Sequence, residues 1–227
     1  MIELISIPLD LNSPKVDLLL KEIDSIDPPI KATLVENPRP FANCYWNALA
    51  YSESSGGEVM FGWMLTEWPG VLITAEHHAI VRNAAGEYLD VTSRYQTYPN
   101  SEPTIFSFDQ NFEIDYDSAP NVKCVNIPLS NDSRVGKRIS VYEEKHKHEG
   151  EKACLFKEMG VQVKKSQMNV AKGEPPEQMK IPAVYLEKYK QIELKLQKTR
   201  AELTALNRSL IEKPPNSKAK KAVLKYS

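Results

Sequence analysis

Hydrophobic positions along the chain follow two patterns. Between residues 58 and 129 they form short runs separated by turn residues, and from residue 185 onward they recur at helical spacing. Glu58–Trp68 is rich in Val, Met, Phe and Trp and closes on Pro69-Gly70, which predicts a strand and a turn. Val71–Arg82 reads as a second strand, Asn83-Ala84-Ala85-Gly86 as a tight turn, and Glu87–Thr92 as a third strand. Thr104–Phe108 and Val122–Leu129 would complete an antiparallel sheet. Ahead of these strands, Cys44–Glu53 favours a helix, with Trp46, Leu49 and Ala50 on one face, Asn43 as N-cap, and Ser54-Ser55-Gly56-Gly57 as the stop. A helix followed by successive strands predicts an α+β fold, a helix packed on an antiparallel sheet, rather than alternating βαβ units.

The flanks add less. Ile2, Leu4, Ile5 and Ile7 suggest a strand ending before Pro8, and Val16–Ile26 a short helix ending before Asp27-Pro28-Pro29. Pro38 and Pro40 keep the approach to Cys44 non-helical, because proline restricts the residue before it. Val141–Met159 reads as a helix interrupted at Gly150, and Lys172–Pro176 as a linker. Tyr185, Tyr189, Ile192, Leu196, Thr199, Leu203, Leu206 and Leu210 then trace a heptad seam. One helix over residues 183–212 would be about 45 Å long. Its apolar stripe has to be covered, either by its own domain or by a second copy pairing through residues 185–210. Pro214-Pro215 ends it, and the tail from Lys213 has five lysines, no acidic side chain and the composition of a disordered segment. The expected organisation is an α+β domain over residues 1–172, a linker and long helix over 173–212, and a basic tail over 213–227.

Composition narrows the classes. With 26% charged residues, 41% hydrophobic residues and a formal net charge of −1, nothing points to a nucleic-acid partner, and the lysine tail lacks interleaved aromatics. No apolar run approaches membrane-span length, and no basic region opens the first ten residues as a secretory signal would. Cys44, Cys124 and Cys154 are widely spaced and form no Cys-x-x-Cys pair, which fits reduced thiols in a cytoplasmic protein without a bound cofactor. His146 and His148, set among Glu143, Glu144, Lys145 and Lys147, read as a solvated charged face and not as metal ligands. Glu102, Asp109, Glu113, Asp115 and Asp117, with no Lys or Arg between residues 100 and 119, read as a solvated acidic loop.

The chemistry lies in three short stretches. A catalytic thiol needs an environment that favours its thiolate, and a cysteine at the first turn of a helix has the unpaired amides and the dipole to supply part of it. Cys44 is so placed, with a histidine on a following strand to act as base and Asp90 on the next to orient that base. Parity chooses between the two histidines. A three-residue bulged loop with Gly86 left-handed pairs Asn83 with Glu87, so paired numbers sum to 170 and even positions face even positions. His78 then lies diagonally from Asp90, whereas a four-residue loop would favour His77. Asn43, Asn47 and His77 are candidates for supporting the site. Trp46, Trp63 and Trp68 are candidates for a groove wall or for the core.

Cysteine at a helix start, His78-Ala79-Ile80-Val81 on a strand and Leu89-Asp90-Val91-Thr92 on its neighbour resemble the papain-like cysteine hydrolase superfamily, in particular its transglutaminase-like and NlpC-type peptidase families. The resemblance spans about residues 38–95, with Ile80 where the transglutaminase-like motif commonly has tryptophan. It implies Cys44 as nucleophile, His78 as base and Asp90 as orienting acid. The function expected is then a cysteine-dependent hydrolase or acyl transferase (thiol protease, amidase or protein deamidase) acting on a protein or peptide-like amide. The rival expectation is an inactive papain-like fold that binds a partner through its C-terminal helix.

Overall fold

The structure is a computed structural model that describes residues 6–94 and 101–215. Its elements, in chain order, are β1 (Ile7–Pro8), α1 (Lys15–Glu22), β2 (Ile30–Arg39), α2 (Cys44–Ser55), β3 (Glu58–Trp68), β4 (Leu72–Arg82), β5 (Tyr88–Thr92), β6 (Thr104–Phe108), β7 (Val125–Pro128), α3 (Ser133–Glu158), α4 (Lys164–Ala171) and α5 (Ala183–Glu212). The expected strand at Ile2–Ile7 falls largely outside the described residues, but Ile7-Pro8 pairs with Glu67 and Thr66 at a strand edge, where proline is tolerated. Helix α1 is shorter than its apolar pattern suggested and ends ahead of Asp24, whose φ of 52° no helix accommodates.

The α+β expectation holds, but the sheet is not a simple antiparallel one. β3 pairs with β4 and β6, β6 with β2, β2 with β5, and β5 with β4, so five strands close into a barrel. The β2–β5 pairing is parallel. β2 carries this difference: Ile30–Arg39, a stretch in which no strand was expected, is a ten-residue strand that joins β5 to β6. Barrel closure removes two exposed edges.

Each strand presents one face inward and one outward. Ala32, Ile80 and Phe106, all fully buried, cluster with Met60, Tyr88 and Phe108, so all five barrel strands contribute to the inner packing. The opposite faces of β4 and β5 give Ala79, Val81 and Val91 to a cluster with Tyr45, Trp46, Ala48 and Ala50 of α2. Gly62 of β3, directly across from His78, leaves room for the Phe106 ring. A Cβ at Gly62 would come within 2.1 Å of the Ser107 carbonyl oxygen and 2.7 Å of Phe106 Cζ. Gly62→Ala is therefore expected to lower stability by about 1–3 kcal/mol through overpacking, read as a fall in the urea midpoint; an unchanged midpoint would show that β6 can move aside.

The helices beyond residue 130 depart furthest from expectation. α3 begins at Ser133, runs unbroken through Gly150, and is capped by the Asp132 carboxylate, which accepts from Arg134 N. Gly150 stays helical, and a Cβ there would meet Asn121 Nδ2 at 2.6 Å. α4 was not anticipated. α5 has the expected span and lies antiparallel to α3, as Lys188–Glu158, Lys152–Glu193, Lys137–Glu202 and Arg138–Asn207 contacts show. Its seam residues Ile192, Leu196, Thr199 and Leu210 are buried, and Leu155 of α3 packs with the first two. Each fully buried aliphatic side chain contributes about 1.5–3 kcal/mol. The stripe offered for a homodimer through residues 185–210 is thus covered within the chain. Of the basic tail, only Lys213, Pro214 and Pro215 fall inside the described residues. No helix among these residues is long and apolar enough to cross a membrane.

Candidate active site

The chain reaches the site straight from the barrel. β2 ends at Arg39, whose carbonyl accepts from Ser93 N just past β5, and five residues later Cys44 opens α2. The turn is tight: Ala42 has a φ of 61°, a left-handed value uncommon outside glycine. Asn43 occupies the N-cap position but its side chain does not cap the helix. Its Nδ2 instead donates to Asn47 Oδ1 (3.2 Å) and to the Gln167 carbonyl of α4 (3.0 Å). The leading amides of α2 are therefore not taken up by an N-cap side chain, and they lie next to the half-buried Cys44.

The hairpin after β4 has the expected geometry. Asn83 N donates to Glu87 O, Gly86 N to Asn83 O, and Gly86 has a φ of 82°. Val81 pairs with Leu89 and Arg82 with Tyr88, so His78 and Asp90 share a side. Beyond that pairing β4 and β5 separate, and His78 Nε2 lies 3.1 Å from Asp90 Oδ1 across the opening. Both side chains are buried, Asp90 almost completely at 1% exposure. With Nε2 facing Asp90, Nδ1 is the ring nitrogen left for the thiol.

Burial alone would depress the His78 pKa. The Asp90 charge and hydrogen bond, with a further contribution from Cys44 as hydrogen-bond and charge partner, more than offset it and raise the pKa well above 6.5. Asp90 shows the converse. Burial pushes its pKa up, but His78, the Thr104 hydroxyl and Thr92 N–H together hold it below the usual carboxylate range. The arrangement favours an imidazolium–carboxylate pair beside the thiol at neutral pH.

Around this pair runs a buried hydrogen-bond chain. Asn47 Nδ2 donates to the Pro40 carbonyl (2.7 Å) and to Thr92 Oγ1 (3.1 Å), while Thr92 N donates to Asp90 Oδ1 (3.1 Å). Through Asn43, Asn47 and Thr92, the start of α2 is tied to the carboxylate that holds the histidine. On its other side, Asp90 Oδ2 accepts from Thr104 Oγ1, which in turn accepts from Arg94 Nη2 (2.8 Å). Sequence reasoning missed Thr104 and Arg94, since nothing local marks a threonine opening a later strand as a neighbour of Asp90.

His77 lies apart from the His78–Asp90 pair. It points to the other side of β4, against Trp63, Phe112 and Tyr45, with Tyr45 Oη 2.8 Å from Nδ1. Its Nε2 is 3.5 Å from Asp109 Oδ2, beyond a good hydrogen bond. Burial pushes its pKa down to about 4, with Asp109 opposing, so the ring is neutral near pH 7. Trp46 belongs to the core as well, its Nε1 donating to the Tyr116 carbonyl (3.2 Å). Trp68 packs with Val71, Leu72, Val135 and Leu210, and Trp63 lies edge-on to His77.

The other thiols differ from Cys44. Cys124 is buried 2.8 Å from Tyr142 Oη, and burial pushes its pKa up to about 12; Cys154 is exposed on α3. His148 is buried between Glu144 (3.7 Å) and Glu151 (3.1 Å), contrary to the solvated face expected for it. Among the described residues no group of three or more His, Cys, Asp or Glu side chains is placed to hold a metal ion. Comparison of the chain with protein-family models, with curated proteins and with solved structures finds no match.

Proposed function

We propose that this chain is a papain-like, cysteine-dependent hydrolase or acyl transferase acting on an amide bond of a protein or peptide-like substrate. The observation that carries this reading is the meeting, where β4 and β5 part, of a helix-start cysteine with a buried histidine that Asp90 holds through Nε2. In the proposed reaction the Cys44 thiolate attacks the amide carbonyl carbon. The developing oxyanion is met by the leading amides of α2. The leaving amine takes its proton from His78 as the C–N bond breaks, which leaves a thioester on Cys44. Water, or an acceptor amine, then gives its proton to His78 and attacks the thioester, releasing the acid or the new amide and restoring the Cys44 thiolate beside protonated His78. Asp90 keeps the ring oriented and stabilises its charge throughout.

Limited alkylation with iodoacetamide at neutral pH, followed by peptide mass analysis, tests the first requirement. Cys44 is expected to be modified at least tenfold faster than Cys154, with Cys124 protected by burial. Incubation with p-nitrophenyl acetate should release p-nitrophenol in a burst of one equivalent and leave an acetyl group on Cys44. Equal alkylation of Cys44 and Cys154 together with no burst would sink the proposal.

A further inference from the structure

Over residues 76–80, β4 lacks a strand neighbour on one side. On that side it pairs with β7 only through Leu72–Ala75 and with β5 only through Val81 and Arg82. The intervening segment, Glu76-His77-His78-Ala79-Ile80, is where the His78–Asp90 bond spans the opening. Glu76 lies two residues from His78 on the same side of the strand, about 7 Å along it. The chemistry described above makes no use of Glu76.

Its surroundings are unusual for a carboxylate. Glu76 is exposed to solvent, and its carboxylate has no hydrogen bond or ion pair among the described residues. Protein crowds its remaining sides and raises its pKa, an effect that His78 and Lys145 only partly counter. Lys145 is already engaged, its Nζ lying 2.8 and 2.9 Å from the two carboxylate oxygens of Glu149. His78 is engaged by Asp90. The other groups that sense the Glu76 charge, Tyr45, Cys124 and Tyr142, are all driven towards their neutral forms by burial.

An unneutralised carboxylate on the same side as His78 faces a substrate laid over this gap, and at a solvent-exposed position it attracts an opposite charge with water-screened strength. A cationic group on the substrate would supply the partner that the chain itself does not. We propose that Glu76 is a specificity-determining residue of the site, receiving a cationic group (a lysine or arginine side chain, or a free ammonium) carried next to the amide that Cys44 attacks. This assignment of substrate class rests on the cysteine hydrolase reading.

Charged thiol reagents test it without requiring turnover. The full-length protein is treated separately with a trimethylammonium-ethyl and a sulfonatoethyl methanethiosulfonate, and the rates at Cys44 and Cys154 are followed by peptide mass analysis. The cationic-to-anionic rate ratio at Cys44 is expected to exceed that at Cys154 by about tenfold. It should collapse in Glu76→Gln and invert in Glu76→Lys, while the ratio at Cys154 holds as an internal control of folding. A ratio at Cys44 unaltered by both substitutions overturns the proposal. A second arm compares fluorogenic peptide amides that differ only in lysine, norleucine or glutamate beside the cleaved bond. The wild type is expected to favour lysine, and Glu76→Gln to reduce that preference in kcat/KM at least tenfold. If no amide is turned over and no acyl-enzyme forms, the hydrolase reading fails, and the reagent ratio still decides the role of Glu76.

Discussion

His78→Ala is expected to slow amide turnover by about a thousandfold, within the 10²–10⁴-fold range of a positioned acid–base group. The loss should appear in kcat, because the ring acts on protons in flight and contributes little to substrate binding. Cys44 alkylation should slow in the same variant, since the raised pKa of His78 makes it a cation beside the thiol. The adjacent histidine provides the contrast. His77 lies among Trp63, Phe112 and Tyr45 on the other side of β4, so His77→Ala is expected to leave a cavity and lower stability by about 2–4 kcal/mol. Its rate of Cys44 alkylation should remain within a few fold of wild type. Measuring both variants for urea unfolding and for Cys44 alkylation separates the two roles. A His77→Ala protein that stays folded but loses Cys44 reactivity, with His78→Ala unaffected, would reverse the assignment.

Asp90→Asn is expected to lower stability by about 3–5 kcal/mol near pH 6, because it removes one partner of a buried, hydrogen-bonded ion pair. The pH dependence is the sharper test. The depressed pKa of Asp90 contributes stability that is present above its unfolded value, about 3.9, and lost as pH falls through the folded value. The raised pKa of His78 contributes stability that is fully present below its unfolded value, about 6.5, and lost as pH rises through the folded value. The pair therefore stabilises the wild type most between about pH 4 and 6.5 and progressively less above that window. In Asp90→Asn the carboxylate is gone and burial dominates, so the His78 pKa falls below its unfolded value. The histidine contribution then rises with pH instead of falling. His77, neutral in both proteins, adds the same slope to each, and the difference between the two urea-midpoint profiles from pH 5 to 9 isolates the pair. Parallel profiles would show that His78 does not titrate against Asp90.

Several features of this site follow from residues close together in the chain. Asn83-Ala84-Ala85-Gly86 specifies a turn in which Gly86 alone takes positive φ, and the resulting register puts His78 and Asp90 on one side. Asn43 stands where a capping residue belongs, but its amide is drawn to Asn47 and to Gln167 of α4. A cap and a tertiary contact compete for the same side chain, and only the packed structure decides between them. Gly150 has a similar history: glycine suggested a break in the helix, and the surrounding packing keeps α3 continuous to Glu158.

By itself, the sequence determined the span of α5, four of the barrel strands, the helix beginning at Cys44 and the facing of Asp90 by His78 rather than His77. These rest on periodicity and turn chemistry, which act over a few residues and leave their signature in them. The tertiary structure decided that β2 closes the barrel by pairing parallel to β5, that Thr104 reaches Asp90, that the α5 seam rests on α3, and that Glu76 stands unpartnered beside His78. Each depends on segments far apart in the chain finding one another. The free energy of such a meeting comes from area buried jointly and from polar groups satisfied jointly, and no local stretch of sequence contains either.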